Sequence, residues 1–304
     1  MTTVLISGAG GFIGRHLASA LKQRGCRVVG LDVEPHPLSP YDRMIRGRLL
    51  DPLEGVLESE EIDVFVHCAY HAGRGEYDIN VNGTILWAEQ ALKKGVPRQV
   101  FVSSISARRD AFSVYGKLKY DTERWFLEHG QVVVRLGLVV GNGGFFQNMV
   151  EMIRKWPVLP LLDRGKSRVY YVGIEDVVRV ISGFVEAREL QKGALIWNLF
   201  QPEPAAMRDV LEAIKKAYGY SCAFVPIPYR VVLATVVFLE KVPFLRVKMN
   251  SNNVRGLKQN DSLDLKSHFA ELGCQPSRLE TLIKLSRKDP LLPLGKRSDI
   301  KRTT

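Results

Sequence analysis

Apolar and polar positions along residues 1–200 fall into alternating blocks. Thr3-Val4-Leu5-Ile6-Ser7 is an apolar run closed by glycines, the pattern of a strand buried on both faces. Phe12 to Arg24 then carries apolar residues at helical spacing (Ile13, Leu17, Ala20, Leu21) and stops at Gly25. Arg27 to Leu31, Asp63 to Cys68, Gln99 to Ser103 and Gln131 to Leu136 read as further strands. Asn82 to Lys94 reads as a helix ended by Gly95, and Tyr115 opens another. Strands separated by helices predict right-handed crossovers and an α/β fold with a doubly wound parallel sheet.

After Gly141 the pattern loosens. Gly141 to Gly144 breaks the periodicity and a proline-marked stretch follows (Trp156 to Pro160), before a helix over Asp176 to Glu186 and a strand over Ala194 to Leu199. The division expected is a sheet domain over 1–140 and 175–201, a smaller interleaved α/β domain over 141–174 and 202–290, and a tail over 291–304. Behind Pro226-Ile227-Pro228-Tyr229, Arg230 to Val242 reads as a strongly apolar helix with Lys241 at its end. Such a helix packs a core, lines a lipophilic pocket or lies on a membrane surface. Its most apolar run, Val231 to Leu239, is far short of the roughly 20 residues that span a bilayer. No integral span is therefore expected, and peripheral contact stays open.

With 46% hydrophobic and 25% charged residues in 304, the composition excludes disordered, collagen-like and coiled-coil classes. Lys+Arg 43 against Asp+Glu 32 leaves a formal charge of +11. Lys284, Arg287, Lys288, Lys296, Arg297, Lys301 and Arg302 supply much of the excess. That balance suits an anionic small substrate or an anionic surface. Nucleic acid is not expected, because the charge concentrates in a tail rather than on a basic face interleaved with aromatics. Four scattered cysteines (Cys26, Cys68, Cys222, Cys274) form no CxxC pair and predict reduced thiols and no metal site. With a first strand that starts at the N-terminus, a soluble cytoplasmic protein is expected.

Two constellations carry chemistry. Gly8-Ala9-Gly10-Gly11-Phe12-Ile13-Gly14 places glycines at 8, 11 and 14 between a strand and a helix. Residues without Cβ there let the backbone reach a pyrophosphate and let the helix pack on the strand. The helix N-terminus then presents N–H groups and a favourable dipole to the phosphates. Asp32 follows 18 residues after Gly14, where a carboxylate accepts from ribose hydroxyls and repels a 2′-phosphate. The cofactor expected is NAD rather than NADP, a preference that Arg27, Arg43 and Arg46 would soften. The second constellation is Ser104 at a strand end with Tyr115 and Lys119 one helical turn apart, on one helix face. A nearby ammonium favours the phenolate, so the phenol can exchange a proton with a substrate alcohol while the serine holds the same oxygen.

Together these residues resemble the extended short-chain dehydrogenase/reductase superfamily, and within it the NAD-dependent nucleotide-sugar epimerase/dehydratase family. The resemblance covers about residues 3–200 and implies a Rossmann fold. His67-Cys68-Ala69 resembles the family's strand end beside the cofactor. Asn80-Val81-Asn82-Gly83-Thr84 resembles its helix start, where Asn80 supports the active-site backbone. Val134-Arg135-Leu136-Gly137 resembles its R-P-G strand, and Val172 to Val177 its H-V-D-D-V segment. The resemblance implies Ser104, Tyr115 and Lys119 as catalytic residues. It implies Gly8, Gly11, Phe12, Ile13, Gly14, Asp32, Leu49, Ala69, Asn80, Tyr115, Lys119 and Leu136 around the cofactor, with Lys119 on the nicotinamide ribose.

It further implies a nucleotide-diphosphate sugar as substrate and a homodimer formed through helices near 82–94 and 115–129. His71 and Arg74 in the loop after Ala69, Ser104, Asn148 flanking a helix with Asn142, and Arg168 are the substrate-site candidates. Several positions depart from the pattern: Arg48 replaces an acid near the adenine, Leu136 a proline, Gly173 a histidine, and Val169 an arginine for the diphosphate. Ile105-Ser106 stands where dehydratases carry an Asp-Glu pair, which argues against 4,6-dehydration. An epimerase, 4-ketoreductase or dehydrogenase acting at an alcohol or ketone carbon, C4 of the sugar, is the expected activity. A dehydrogenase of a hydrophobic alcohol, of the 3β-hydroxysteroid dehydrogenase type, and a non-catalytic NAD(P)-binding regulator or assembly factor remain alternatives.

Overall fold

A strand that is apolar on both faces needs cover on both faces, and the helices between the strands provide it. The computed structural model describes residues 1–34, 40–187, 195–240, 251–260 and 265–289. Its first half runs β1 (Thr3–Ser7), α1 (Phe12–Gln23), β2 (Arg27–Asp32), β3 (Arg43–Arg46), α2 (Glu54–Ser59), β4 (Val64–His67), α3 (Glu76–Lys93), β5 (Arg98–Ser104), α4 (Val114–Glu128) and β6 (Val132–Leu136). The second half runs β7 (Leu138–Val140), α5 (Gly144–Lys155), β8 (Val158–Leu162), β9 (Arg168–Val169), β10 (Tyr171–Gly173), α6 (Ile174–Glu186), β11 (Ile196–Leu199), β12 (Ala205–Ala206), α7 (Met207–Tyr218), β13 (Ala223–Ile227), α8 (Tyr229–Glu240), α9 (Ser251–Asn260) and α10 (Leu279–Ser286).

Seven strands form one parallel sheet in the order β11-β6-β5-β4-β1-β2-β3, the doubly wound Rossmann arrangement. The strand order reverses between β1 and β4, which pair Ser7 with His67 at their C-terminal ends. Ligands of such sheets bind in the crevice at that reversal. One face packs Val4, Ile6, Val66 and Val134 against α1 and α6 through Leu17, Leu21, Val177 and Ile181. The other packs Leu5 and Phe65 against Trp87 and Ala91 of α3, and Phe101 against Phe126 of α4, rings stacked 4.9 Å apart.

Three two-stranded ladders, β7–β10, β8–β13 and β9–β12, accompany the sheet. A separate core joins Phe146, Met149 and Ile153 of α5 to Val210 and Ile214 of α7 and to Leu282 and Ile283 of α10. No helix among the described residues is long and apolar enough to cross a membrane.

Some boundaries differ from the expectation. α3 starts at Glu76 rather than Asn82, because Gly75 turns left-handed (φ 74°) and the acidic Glu76 and Asp78 suit a helix N-terminus although the turn has no apolar period. Asn148 lies within α5 rather than beside it. β3 is an edge strand with exposed Arg43 and Arg46, too short and polar to stand out in the sequence. Ala194, Lys241, Val242 and the tail over 291–304 lie outside the described residues.

Candidate active site

The crevice at the strand reversal is lined first by backbone. β1 ends at Ser7 and the chain turns at Gly8 (φ 67°), with the Gly11 amide donating to the Gly8 carbonyl at 2.9 Å. A Cβ on Gly8 would lie 2.7 Å from the Ala69 nitrogen, and one on Gly14 would lie 2.5 Å from the Gly8 oxygen. Neither position has room for a side chain. α1 starts at Phe12 with no side-chain cap and no acid in its first turn, so its leading N–H groups face the crevice uncompensated. Ile13 follows, and the Phe12 ring packs against the Gly141–Gly144 turn that leads into α5. Asp32, the last residue of β2, accepts from the Gly10 amide at 2.9 Å, so its carboxylate borders the cradle. Arg27 and Arg43 turn away to Glu60 (3.0 and 2.8 Å), while Arg46 donates to the Val33 carbonyl beside Asp32. The cradle and its carboxylate fit a dinucleotide with free ribose hydroxyls.

The turn at Arg48 to Asp51 is braced by α3. Leu49 is buried beneath Gly83, Leu50 adopts a left-handed conformation (φ 80°), and Trp87 Nε1 donates to the Asp51 carbonyl at 2.8 Å. The Arg48 amide donates to the Asp51 carboxylate at 2.9 Å, so Arg48 enters this turn through its backbone. His67 at the end of β4 is buried against Phe65 and pairs with Gln99 at 2.7 Å; burial pushes its imidazole down to about 3. It is thus a neutral core residue, not an acid or base.

The other end is made of side chains. Ser113 caps α4 by accepting from the Gly116 amide at 3.1 Å. Gly116 lets the helix approach the preceding loop, since a Cβ there would meet the Ser106 carbonyl at 2.5 Å. That approach sets Tyr115 on the side of Ser104, the last residue of β5, whose Oγ accepts from the Ser106 amide at 3.2 Å. Leu136, buried at the end of β6, is the strand neighbour of Ser104. The Tyr115 ring is partly exposed while its hydroxyl end is enclosed, and enclosure raises the phenol above its ordinary value. Ser104 opposes that rise and the charge of Glu76 adds to it. Lys119 Nζ donates to the Val102 carbonyl at 2.8 Å and sits 4.6 Å over the Phe101 ring. Burial pushes this lysine down to about 8, with Cys68 and Glu123 opposing. The Lys119 ammonium lies 6.0 Å over the Tyr115 ring centroid and is tied to β5 through Val102.

Asn80 braces the backbone of the loop after β4. Its side chain accepts from the His71 amide at 2.9 Å and donates to the His71 and Glu76 carbonyls at 2.8 and 2.6 Å. The clamped loop carries His71 and Arg74, with His71 Nε2 3.2 Å from the Arg74 carbonyl. Asn148 is exposed on α5, and Arg168 on β9 stacks 5.4 Å from the Tyr170 ring centroid.

Three contributors escaped the sequence reading. Tyr41 donates to the Ala9 carbonyl at 2.8 Å behind the cradle, and no spacing marks it. Glu123, four residues beyond Lys119 and almost fully buried, accepts from Ser103 at 2.5 Å and pairs with Arg135 at 2.5 Å. Extending the Tyr115–Lys119 spacing by one more turn would have found it. Tyr70 meets the Tyr115 ring edge-on, centroids 5.4 Å apart. No group of histidine, cysteine or carboxylate side chains among the described residues is arranged to hold a metal.

Comparison with known proteins agrees with this geometry. The chain is 30% identical over 219 residues to the ceramide reductase of Caulobacter vibrioides (strain NA1000 / CB15N), covering 64% of this chain and 67% of that enzyme. It is 33% identical over 133 residues to the UDP-glucose 4-epimerase of Neisseria gonorrhoeae, covering 37% of this chain and 39% of that enzyme. Among solved structures, MoeE5 in complex with UDP-glucuronic acid and NAD superimposes with a TM-score of 0.65 at 25% identity, over 74% of this chain and 85% of its own. Residues 4–199, which hold the cradle, Asp32 and the Ser104–Tyr115–Lys119 set, match the NAD dependent epimerase/dehydratase family, and the chain belongs to it.

Proposed function

We propose that this protein is an NAD-dependent oxidoreductase or epimerase acting at an alcohol or ketone carbon, C4 of a nucleotide-linked sugar, with Tyr115 as acid and base. The observation that carries the reading is the close approach of α4 to the end of β5, which sets Tyr115 and Lys119 beside Ser104 at the strand ends that also carry the glycine cradle. Gly8, Gly11 and Gly14 with the start of α1 would hold the pyrophosphate, Asp32 the adenosine ribose, and Leu49 the adenine wall. NAD, when bound, supplies hydride transfer at its nicotinamide. Ser104 fixes the substrate oxygen, Tyr115 Oη gives or takes the proton on that oxygen, and Lys119 holds the nicotinamide ribose. Arg168 is the cation offered to a diphosphate, since Val169 is buried and apolar where family members carry an arginine. No paired carboxylates follow Ser104, so elimination of water is not part of the reading.

A lipid-like alcohol or ketone is the second reading of the same chemistry. It is favoured by the similarity to a ceramide reductase and by exposed Val231 on the apolar α8. NADH consumption would be followed with a UDP-4-keto-sugar and with a long-chain keto-lipid in mixed micelles. Turnover of the first alone supports the sugar reading, and of the second alone the lipid reading. Binding of NADH without turnover across a broad panel would favour a non-catalytic binding protein.

A further inference from the structure

Beside Tyr115 the structure holds a second tyrosine and a carboxylate that the chemistry above does not use. The Tyr70 ring stands edge-on to Tyr115, centroids 5.4 Å apart at 82°, and its hydroxyl donates to the Glu76 carboxylate. Tyr70 lies in the loop after β4 and Glu76 at the start of α3, and Asn80 clamps the stretch between them. The Asn80 amide, buried on α3, binds the His71 backbone through both its N–H and its carbonyl, and takes the Glu76 carbonyl as well. Glu76 is also the first residue of α3, where a negative side chain is favoured by the exposed N–H groups.

The groups facing the Tyr115 phenol can be named element by element. Ser104 comes from β5, Lys119 from the next turn of α4, Tyr70 from the clamped loop and Glu76 from α3. Lys119 is engaged by Val102 of β5, while Tyr70 touches both partners, its ring against Tyr115 and its hydroxyl on Glu76, which places the Glu76 carboxylate one side chain away from the Tyr115 ring. A negative charge beside a phenol disfavours phenolate.

We propose that Glu76, held in place by Tyr70, is a positioning residue for the Tyr115 proton and suits this site to the reduction of a carbonyl. The inference rests on the acid/base role given to Tyr115 above. In that direction the carbonyl carbon takes a hydride from NADH, which becomes NAD+, and the carbonyl oxygen takes the Tyr115 proton. The product is a secondary alcohol, and the phenolate regains its proton from solvent.

The test uses the full chain labelled with 13C at the hydroxyl-bearing carbon of tyrosine, with the Tyr115 resonance assigned by its loss in Tyr115→Phe. Near pH 10, about the ordinary tyrosine value, Glu76→Gln should raise the phenolate-to-phenol ratio of Tyr115 roughly tenfold. Glu76→Asp should restore most of the wild-type ratio, and Tyr70→Phe should move it part of the way toward Glu76→Gln. Unchanged resonances of the tyrosines other than Tyr70 and Tyr115 report an intact fold. A ratio equal to wild type in Glu76→Gln, or the same change in Glu76→Asp, overturns the proposal. Because this readout needs no turnover, a shifted ratio in a protein that reduces nothing would overturn the acid/base reading alone. A reductase whose ratio does not move would overturn the role of Glu76 alone.

Discussion

At the Gly8–Gly14 end of the site the chain contributes backbone, whereas at the Ser104–Tyr115 end it contributes side chains. In the cradle, recognition depends on atoms that are absent: a single methyl group at Gly14 would sit 2.5 Å from the Gly8 carbonyl. Around Tyr115 it depends on groups that are present and buried. Lys119, Glu123, Arg135 and Ser103 form a charged, hydrogen-bonded layer beneath the phenol. The first end is set by the space at Gly8 and Gly14, and the second adds buried titratable groups to a similarly close approach at Gly116. On the proposed reading, substitutions at the cradle act first on cofactor binding and substitutions at Tyr115 on the chemistry.

The sharpest way to break that comparison is at Glu123. Removing it in Glu123→Ala strands Arg135 without its carboxylate, and losing one partner of a buried pair costs about 3–5 kcal/mol. The denaturant midpoint should fall accordingly, while Glu123→Gln, which keeps contacts to Ser103 and Arg135, should lose less. If the two variants unfold alike, the charged layer is not what stabilises this end.

Next in size is Gly14→Ala. Crowding of this kind costs about 1–3 kcal/mol, and NADH affinity, read by fluorescence quenching, should fall with it. Retained affinity would mean the cradle is not the phosphate site.

The smallest effect expected is a pH dependence of stability. Lys119 has a folded value near 8, below its ordinary 10.5, so between these values the unfolded chain binds more protons than the folded one. Its contribution therefore makes stability rise as pH goes from 8 to 10.5. Lys119→Met should flatten that rise in denaturant titrations, and an identical slope in both proteins would contradict the buried position of the ammonium. Activity should move the other way, declining above about pH 8 as the ammonium is lost.

The cradle was legible because its signal is local: glycines at fixed spacing between an apolar strand and an amphipathic helix leave few alternatives. Tyr115, Lys119 and Ser104 were legible for a similar reason, since helical spacing and a strand end place them. Less of the second lobe could be read. β7, β9, β10 and β12 are two or three residues long, and their pairing is set by partners distant in sequence. α3 began earlier than its periodicity indicated because Gly75 and Glu76, not apolar residues, start it. Tyr70 in the loop after β4 and Glu76 at the start of α3 lie six residues apart, and only folding brings Tyr70 to Tyr115 and its hydroxyl to the carboxylate. The partner of Lys119 was not legible, because spacing places the lysine on the helix face but does not reveal that its ammonium donates to Val102.

Tyr115→Phe tests the central claim most directly, since it removes one oxygen from the catalytic end and leaves the cradle untouched. With whichever carbonyl or nucleotide sugar the wild-type protein turns over, kcat should fall about 10²–10⁴-fold, the range for losing a general acid or base, while NADH binds as before. Turnover comparable to wild type would contradict the account, because the proton would then have to travel through a group other than the Tyr115 phenol.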